Sequence, residues 1–438
     1  MSRFPSPRLR RMLWLYKAAW VLLFPAILAY LAWRGRKDAE YMAHLGERFG
    51  GHAPMPGAVW VHAVSLGELR SAVPLIRALL ARGETVVTSH FTPAGRRECQ
   101  RIFAAEIAAR RLRPVWVPFE FHWCHARFLR AFAPKFGLVM EIEVWPQMIL
   151  SCRRAGVALY LCNAQYPAKS FARDQGRARA DLMAGFAGGL VKSDLQRQRF
   201  AATGLAPIAV TGELRFDQPI PAAQTAPGQA LRARLQAQGR AAFTIASAIE
   251  GEDALYIETI RKVRAAWRAQ GLPAPLFVYV PRAPERFDAV AGLLTRAGLR
   301  LLRRSADIAA DLWTADDLSG VDVLLGDSLG EMYFYLSIGD LAIVGGGYMP
   351  KGAHNISEPL ALGKPVIVGP CTWTIEYPAV EACAAGVCTV VPPEDLADAL
   401  APGAPRPSPQ AIAAFLAAHS GAVARTLAAL DQFTAAKA

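Results

Sequence analysis

Short apolar runs with the composition of β-strands alternate along this chain with longer segments in which apolar residues return every three or four positions. This alternation predicts strands joined by helices, and therefore parallel sheets that helices cover on both faces. The runs typical of strands lie at 59–64, 85–89, 115–118, 138–142, 158–162, 189–191, 209–211, 243–246, 276–280, 321–325, 341–344, 365–368 and 389–391. Helical patterns lie between them, among others at 68–81, 94–110, 252–269, 284–297 and 329–338. We therefore assign the chain to the α/β class.

The alternation is interrupted at 218–229, a stretch rich in Pro, Ala and Gln that is typical of a linker between domains. A chain of 438 residues is long enough for two domains, because a single core usually stops growing at about 250 to 300 residues. We predict two doubly wound, Rossmann-like domains at 38–217 and 230–405, followed by a C-terminal helix over 406–438. Ligands bind at the carboxyl ends of the strands in such folds, so we expect the two sheets to face a ligand-binding cleft.

The N-terminal segment 12–33 is apolar except for Lys17, and basic residues flank it on both sides. Its length is close to the ~20 residues that a membrane span needs. A cleaved signal peptide is disfavoured, because no small-x-small site is present and the residues directly after the run are basic. We predict that residues 1–37 anchor the chain to the anionic inner leaflet of a membrane, either by spanning the bilayer or by lying in its interface, with the remaining chain in the cytoplasm.

The formal net charge of +13 at pH 7 favours an acidic partner. Nucleic acid is disfavoured as that partner, because the basic residues are dispersed and form no cluster interleaved with aromatic residues. A membrane surface or a phosphorylated substrate fits this charge better. The seven cysteines form no CxxC pair, which favours reduced thiols in a cytoplasm, and no spacing typical of a metal site stands out.

A glycine-rich segment at 345–359 has the layout of a phosphate and ribose site. Three glycines at 345–347 follow an apolar run, a polar turn comes next, and a helical segment then begins near Asn355. Glycines let the backbone approach a ligand closely, and free amide groups at a helix start favour an anion such as phosphate. Glu358 is placed to accept hydrogen bonds from two ribose hydroxyls. The alternative is a structural strand-to-helix loop in which Asn355 only caps the helix.

Three further strand-to-helix junctions carry polar groups. Glu68 follows the tight turn at 65–67 and enters a helix, where it serves either as a general base or as a first-turn carboxylate that stabilises the helix. Arg282 directly follows a predicted strand, and it either holds a phosphate bidentately or pairs with Glu285 on the surface. The third junction, at 326–331, is explained by helix capping alone.

In their order and spacing these motifs resemble the 3-deoxy-D-manno-octulosonic acid (Kdo) transferases of lipopolysaccharide synthesis, glycosyltransferases with the two-domain GT-B fold. The resemblance begins at the N-terminal anchor and extends to about residue 400. It rests on Ser-Leu-Gly-Glu at 65–68, Thr-Pro-Ala-Gly at 92–95, Met-Glu-Ile-Glu-Val-Trp-Pro at 140–146, Asn-Ala at 163–164, Thr-Gly-Glu-Leu-Arg-Phe-Asp at 211–217, Glu-Gly-Glu at 250–252, Pro-Arg at 281–282, Gly-Asp-Ser-Leu-Gly-Glu at 326–331 and the segment 345–359.

The resemblance implies transfer of Kdo from CMP-Kdo to the acylated, bisphosphorylated lipid A precursor, lipid IVA, at the inner membrane, with no metal and no other cofactor. It implies that Glu68 accepts the proton of the acceptor hydroxyl. It also implies that Glu141 or Glu143, together with Arg215, stabilises the transition state. The residues expected to contact CMP are Pro281, Arg282, Leu329, Gly330, Glu331, Asn355, Ile356, Ser357 and Glu358.

Several positions differ from the family pattern. Arg215 stands where the family usually has Lys, and Glu213 replaces an Asn and is expected to add negative charge beside it. Two alternatives therefore stand beside Kdo transfer: a divergent paralogue that uses another nucleotide sugar or acceptor, and a membrane-anchored binding protein that has lost catalysis. The other departures are Gln165, Ala248, Ile249, Ala283, Ala353, Ile356 and Ser357.

Overall fold

The computed structural model describes residues 4–312, 314 and 318–435, which form two compact units. The first unit comprises Met1–Gln218 and Ser420–Ala438, and the second comprises Pro219–His419. The ends of the predicted anchor and of the predicted C-terminal helix, residues 1–3 and 436–438, lie outside the described residues. Each unit contains one parallel sheet, so the α/β assignment is confirmed.

The first unit is built on a parallel sheet of seven strands: β1 (Val59–His62), β2 (Val86–His90), β3 (Leu112–Trp116), β4 (Phe136–Met140), β5 (Ala158–Ala164), β6 (Gly188–Val191) and β7 (Ile208–Val210). Their order across the sheet is β3-β2-β1-β4-β5-β6-β7. The strands β1 and β4 lie side by side, with Val61 paired to Leu138. From β1 the chain winds toward β2 and β3, and from β4 it winds toward β5, so the winding reverses between β1 and β4. Doubly wound sheets bind ligands at such a switch point.

Helices cover both faces of this sheet, which is why its strands are apolar on both sides. Trp60, Phe128 and Phe132 belong to the core on one face, and Ile76 and Tyr160 belong to the core on the other. The helices before residue 218 are α1 (Pro7–Gly35), α2 (Leu45–Arg48), α3 (Leu66–Ala81), α4 (Pro93–Ile102), α5 (Ala104–Ala108), α6 (His122–Phe132), α7 (Pro146–Arg154), α8 (Ala168–Asp174), α9 (Ala178–Met183) and α10 (Asp194–Ala201).

The helix α1 contains the predicted anchor segment. It runs without interruption for 29 residues, through Pro25, and its first turn is capped by Ser6, whose Oγ accepts a hydrogen bond from the Leu9 amide at 3.2 Å. By length and composition α1 is able to cross a membrane, and so is the C-terminal stretch Pro409–Ala435. The structure therefore supports an N-terminal helix that can anchor the chain.

The second unit repeats the same architecture with the strands β8 (Ala242–Ala248), β9 (Leu276–Pro281), β10 (Leu301–Arg303), β11 (Val323–Leu325), β12 (Leu341–Val344), β13 (Val366–Val368) and β14 (Cys388–Val390). Their order is β10-β11-β9-β8-β12-β13-β14, all parallel, so the switch point lies between β8 and β12. The helices are α11 (Ala222–Ala237), α12 (Asp253–Ala269), α13 (Phe287–Arg296), α14 (Arg304–Asp307), α15 (Met332–Ile338), α16 (Ser357–Ala361), α17 (Glu376–Ala384) and α18 (Pro409–His419).

The predicted linker at 218–229 is wrong over most of its length. The helix α11 begins at Ala222 and continues through Pro227. It packs against α15 so closely that a β-carbon on Gly228 would lie 2.6 Å from the Phe334 carbonyl oxygen. The Ala and Gln residues that suggested a linker are good helix formers, and this packing decides between the two conformations.

The prediction of a single C-terminal helix is also wrong. The segment forms α18 in the second unit and α19 (Ala422–Ala435) in the first, with a break at Ser420 and Gly421. Gly421 has φ +83°, and the Asp217 carboxylate accepts hydrogen bonds from the Gly421 and Val423 amides, both at 2.6 Å. The helix α19 packs on α3 and β6, and its Phe433 stacks on Tyr160 of the neighbouring strand β5.

Two smaller differences concern short elements. The helix predicted over 94–110 is divided at Phe103, whose side chain is fully buried. The strand β10 was not predicted, because it has only three residues at the edge of the sheet and only Leu302 among them is buried.

Candidate active site

Acidic residues lie directly after β1 and β4, on both sides of the switch point of the first sheet. Glu68 is in the first turn of α3, which follows β1, and Glu141 and Glu143 lie in the loop between β4 and α7. The negative charges of Glu141 and Glu143 both raise the pKa of Glu68. The structure therefore brings these three residues, which the sequence predicted to be catalytic, into one site.

Both oxygens of the Glu68 carboxylate accept hydrogen bonds at the start of α3. The Val64 amide donates to one at 2.8 Å, and the Ser65 hydroxyl donates to the other at 2.9 Å. Ser65 also accepts from the Glu68 amide, at 3.4 Å, so the two side chains form a variant of the capping box in which the Val64 amide takes the place of the Ser65 amide. The helix-stabilising interpretation of Glu68 is therefore confirmed, and it fixes the position of the carboxylate for any chemical role.

The environment of Glu68 makes its carboxylate unusually basic. Burial, together with the negative charges of Glu141 and Glu143, raises the pKa of Glu68 to about 8. Burial likewise raises the pKa of Glu143, although its hydrogen bond from the Trp145 indole, at 2.9 Å, acts in the opposite direction. A carboxylate with a pKa near the working pH is suited to general base catalysis.

Arg215 is the cation of this site. Its Nε donates to the Ser71 hydroxyl at 2.7 Å, which holds the guanidinium beside the first turn of α3, and its Nη2 lies 3.9 Å from a Glu141 oxygen. Glu141 itself has φ 55°, a left-handed conformation that costs free energy in a residue other than glycine. The four residues predicted to be catalytic are thus assembled from three separate segments of the first unit.

The negative charge of Glu213 is compensated mainly by a residue that sequence reasoning missed. Glu213 and Lys192 are both buried and form an ion pair of 2.7 Å, and the Asn163 amide donates to the same carboxylate at 2.9 Å. Although burial alone would raise the pKa of Glu213, the cations Lys192 and Arg215 hold that pKa below its usual range. Glu213 therefore does place a negative charge beside Arg215, as expected, but its direct ion pair is with Lys192.

In the second unit, the three glycines after β12 allow loops to pack closely. A β-carbon on Gly347 would lie 2.7 Å from the Gly369 nitrogen. The Gly346 and Tyr348 amides donate to the buried carboxylate of Glu252, at 2.7 and 3.1 Å. These two amides are therefore not available to a phosphate, and the glycines serve the packing of the loop.

The polar part of the same segment begins at His354. Asn355 accepts a hydrogen bond from the Ser357 amide at 3.0 Å and so caps the short helix α16, as its structural interpretation predicts. The side chains of Ile356 and Ser357 are buried, so the side chains of these two predicted CMP contacts face the protein interior. Burial and the nearby charge of Arg282 lower the pKa of His354 to about 4, and its buried Nε2 has no hydrogen-bond partner among the described residues.

Arg282 lies directly after β9, and its guanidinium has no ion pair or hydrogen bond within the described part of the chain. The pairing with Glu285 that we considered is not present. Partial burial alone lowers the pKa of Arg282, as expected for a cation without a counter-charge. By contrast Arg286 pairs with Asp253, and Arg304 holds Glu331 at 2.8 Å.

The other predicted CMP contacts lie around the loop after β11. Leu329 is exposed, Gly330 has φ +83°, and the Glu331 carboxylate is committed to Arg304 and Ser328. Pro281 is the buried last residue of β9. Among the described residues, no group of three or more His, Cys, Asp or Glu side chains converges as a metal site would require.

Comparisons with known proteins show the family and the fold of this chain. A family model described as 3-deoxy-D-manno-octulosonic-acid transferase (kdotransferase) matches residues 43–218. The 3-deoxy-D-manno-octulosonic acid transferase of Bordetella pertussis is 41% identical over 396 residues, 88% of this chain and 90% of that protein. That of Haemophilus influenzae is 30% identical, again over 88% of each chain. The crystal structure of Anabaena HepE in complex with UDP covers 86% of this chain and all of its own, with a TM-score of 0.56 at 14% identity, which confirms the GT-B fold.

Proposed function

Because this chain belongs to the Kdo transferases, a family of glycosyltransferases, we propose that it transfers Kdo from CMP-Kdo to the lipid A precursor lipid IVA at the inner membrane. The observation that carries this proposal is the basic carboxylate of Glu68, which lies with Glu141, Glu143 and Arg215 at the switch point of the first sheet. In the proposed topology the two units lie in the cytoplasm and α1 holds them at the membrane.

In the proposed mechanism, Glu68 removes the proton from an acceptor hydroxyl as that oxygen attacks the anomeric carbon of Kdo. The new C–O bond forms while the bond between Kdo and the phosphate breaks, and the proton remains on Glu68. CMP leaves from the opposite face of the sugar, with both electrons of the broken bond. A pKa of about 8 suits this task, since a carboxylate of ordinary pKa would be a much weaker base.

The transition state of this transfer has oxocarbenium character, so positive charge develops on the Kdo ring. Glu141 and Glu143 are negative groups beside the proposed base, and they would stabilise that charge. Arg215 lies 3.9 Å from Glu141 and is held by Ser71, so it would keep the Glu141 carboxylate in place while Glu68 changes its charge.

The donor would be held by the second unit. Among the described residues Arg282 has no carboxylate partner, and it can therefore offer its guanidinium to the CMP phosphate, bidentately and with charge-assisted hydrogen bonds. The unpartnered Nε2 of His354, close to Arg282, is a second polar group available to the nucleotide. Glu358 is proposed to bind the ribose hydroxyls.

A cavity of about 660 Å³ in the first unit supports a phosphorylated, amphiphilic acceptor. It lies at the C-terminal end of α1 and reaches Ser65 and Leu66, the residues that lead into the turn of Glu68. Three cations, Arg34, Lys37 and Arg97, line it together with one carboxylate, Asp38, which pairs with Arg97 at 2.9 Å. Positive charge between an apolar helix and the proposed base matches an acceptor that carries phosphate groups on a lipid.

Mass spectrometry of the lipid product tests the proposal, with labelled CMP-Kdo and lipid A precursor as substrates. We expect Kdo-containing product from the wild type and none from Glu68→Gln, whose melting temperature should be no lower than that of the wild type. Glu106→Gln, in α5 and away from the site, is the matched control and should remain active. Product formed by Glu68→Gln at the wild-type rate would disprove the assignment of the base.

The same experiment separates the two alternatives. Consumption of a different sugar nucleotide, without Kdo transfer, would identify a divergent paralogue. Calorimetric binding of CMP without any turnover, and unchanged by Glu68→Ala, would identify a binding protein that has lost catalysis.

A further inference from the structure

The helix α1 is packed against the first unit from one end to the other. Leu9, Leu13 and Leu31 are buried, at 1%, 6% and 2% exposure, and they lie on the same face of the helix. Between them Trp20 and Phe24 pack edge-on against Phe121, at 5.9 and 4.8 Å between ring centroids. These positions are four or seven residues apart, which is one or two helical turns, so one stripe of α1 forms the contact.

Polar contacts fix α1 to the same unit at three places. Near its start the Arg8 guanidinium donates to the Gly176 carbonyl oxygen at 2.7 Å. Near its middle the Tyr16 hydroxyl donates to the buried Glu120 carboxylate at 3.1 Å. At its end Arg34 donates to the Tyr41 hydroxyl at 2.6 Å. The helix is therefore held along its whole length, about 43 Å at 1.5 Å per residue.

The opposite face of α1 is apolar and exposed. Its residues include Trp14, Leu15 and Leu22, at 76%, 72% and 79% exposure, together with Met12, Val21, Leu23, Tyr30 and Trp33. A helix that is apolar all round is normally buried all round. Protein covers one side of α1, so its free side requires another apolar partner.

Charge at both ends of α1 indicates which partner this is. Arg10 and Arg11 are exposed at the N-terminal end, and Arg36 and Lys37 are exposed at the C-terminal end. When an apolar helix face enters lipid, basic residues beside it bind anionic headgroups, and Trp and Tyr side chains favour the membrane interface. An anionic lipid surface therefore matches this face in both polarity and charge.

If α1 crossed the bilayer, charged groups of the first unit would have to be placed in the hydrocarbon. The Arg153 guanidinium lies 4.9 Å from the Phe4 ring beside the start of α1, and Glu120 lies against its middle. If α1 crossed the bilayer, these groups and the surface around them would have to enter the hydrocarbon, where charged side chains are strongly disfavoured. In the plane of the interface, only the free face of α1 enters the lipid.

We propose that α1 lies in the plane of an anionic membrane interface, with its free apolar face in the lipid and its other face on the first unit, and that it does not cross the bilayer. This inference rests on the proposed membrane association and not on Kdo transfer. Neither of the two measurements below depends on enzymatic activity, so failure of this inference is distinguishable from failure of the proposed reaction.

The first measurement determines on which side of the membrane the two ends of α1 lie. Arg10→Cys and Arg36→Cys are introduced together, and sealed, inverted inner-membrane vesicles are treated with a membrane-impermeant maleimide before and after detergent. Mass spectrometry of the two peptides separates their labelling from that of the seven native cysteines. We expect both sites to be labelled fully before detergent. Protection of either end until detergent is added would overturn the proposal.

The second measurement tests the lipid-facing side, with vesicles of phosphatidylethanolamine and phosphatidylglycerol. The double variant Leu15→Gln/Leu22→Gln should bind these vesicles at least about tenfold more weakly than the wild type. Its melting temperature should be unchanged, because both side chains are exposed. The matched variant Leu13→Gln changes a buried leucine and should instead lower the melting temperature. Undiminished vesicle binding by the double variant would also overturn the proposal.

Discussion

Lys192 and Glu213 form a buried ion pair in the first unit, with Nζ 2.7 Å from a carboxylate oxygen and both side chains at 5% exposure or less. The family pattern described above has an uncharged Asn at the position of Glu213. The structure explains how this chain accommodates the extra charge, because Lys192 neutralises it directly and Asn163 donates a further hydrogen bond.

This pair gives a prediction about stability. Lys192→Met leaves the Glu213 carboxylate buried without its counter-charge, and we expect the free energy of unfolding to fall by about 3 to 5 kcal/mol. The double variant Lys192→Met/Glu213→Leu should lose clearly less than either single variant, since no uncompensated charge remains. Urea denaturation of the three variants measures both effects. A loss below about 1 kcal/mol in Lys192→Met would contradict the compensation we describe.

The raised pKa of Glu68 predicts the pH dependence of activity. Because the base must be ionised and its pKa is about 8, kcat/KM for Kdo transfer should rise with pH, reach half of its maximum near pH 8 and level off only above about pH 9. Glu141→Gln removes a like charge beside Glu68, so the apparent pKa of the profile should move downward. Initial rates between pH 5.5 and pH 9 for both proteins measure this shift. A profile that is flat across this range would be incompatible with Glu68 as the base.

The same pKa affects folding stability in a defined direction. Glu68 binds its proton more tightly in the folded state, with a pKa of about 8, than in the unfolded chain, where a carboxyl has a pKa of about 4.3. The folded state therefore loses stability as the pH rises from about 4.5 to about 8. Glu68→Gln lacks this loss and should gain about 1 to 3 kcal/mol relative to the wild type between pH 5 and pH 8. Urea denaturation at both pH values gives the difference, which the Glu106→Gln control should not show.

Nucleotide binding should depend on the fork geometry of Arg282. Arg282→Lys keeps the charge but cannot bind a phosphate bidentately, so we expect CMP to bind roughly tenfold more weakly, and still more weakly to Arg282→Ala. Arg300→Lys is a matched control, since Arg300 is exposed and pairs with Asp322. Isothermal titration calorimetry with CMP measures the dissociation constants. If the Arg282 and Arg300 variants bound CMP with equal affinity, Arg282 would not be part of the donor site.

Ser247 gives a prediction about backbone strain. It lies at an irregularity in the pairing of β8 with β9 and has φ 59°, in the left-handed region that favours glycine. Ser247→Gly should raise the free energy of unfolding by about 1 kcal/mol. Ala246→Gly, one residue earlier in the regular part of the strand, should lower it by about 0.5 to 1 kcal/mol. Thermal unfolding of the two variants distinguishes the effects, and a destabilised Ser247→Gly would show that the serine side chain is needed there.

Local sequence patterns were sufficient to predict those elements whose structure is determined by neighbours in the chain. Strands buried on both faces appear as apolar runs, so β12 was predicted with its observed limits. The capping box of Ser65 and Glu68 is equally local, since its members are three residues apart. The strand β10 was missed because its pairing at the sheet edge, and not its composition, makes it a strand.

Interactions between distant parts of the chain could not be predicted from local sequence patterns. The carboxylate of Glu252 binds the Gly346 amide across 94 residues, and no periodicity indicates that partner. Glu213 is close to Arg215 in the sequence, but its direct ion pair is with Lys192, and no local pattern indicates that partner. Composition at 218–229 was equally misleading, because the contact of α11 with α15 stabilises a helix there.

The place of α19 has a consequence for the order in which the protein can be completed during translation. The first unit consists of two chain segments, and the whole second unit is synthesised between them. The helix α1 therefore leaves the ribosome before the second unit, whereas the contacts of α19 with α3 and β6, and the cap that Asp217 provides, form only after residue 423 has been added. The unit that carries Glu68 can thus begin to fold before the second unit is synthesised, but it is completed only after it.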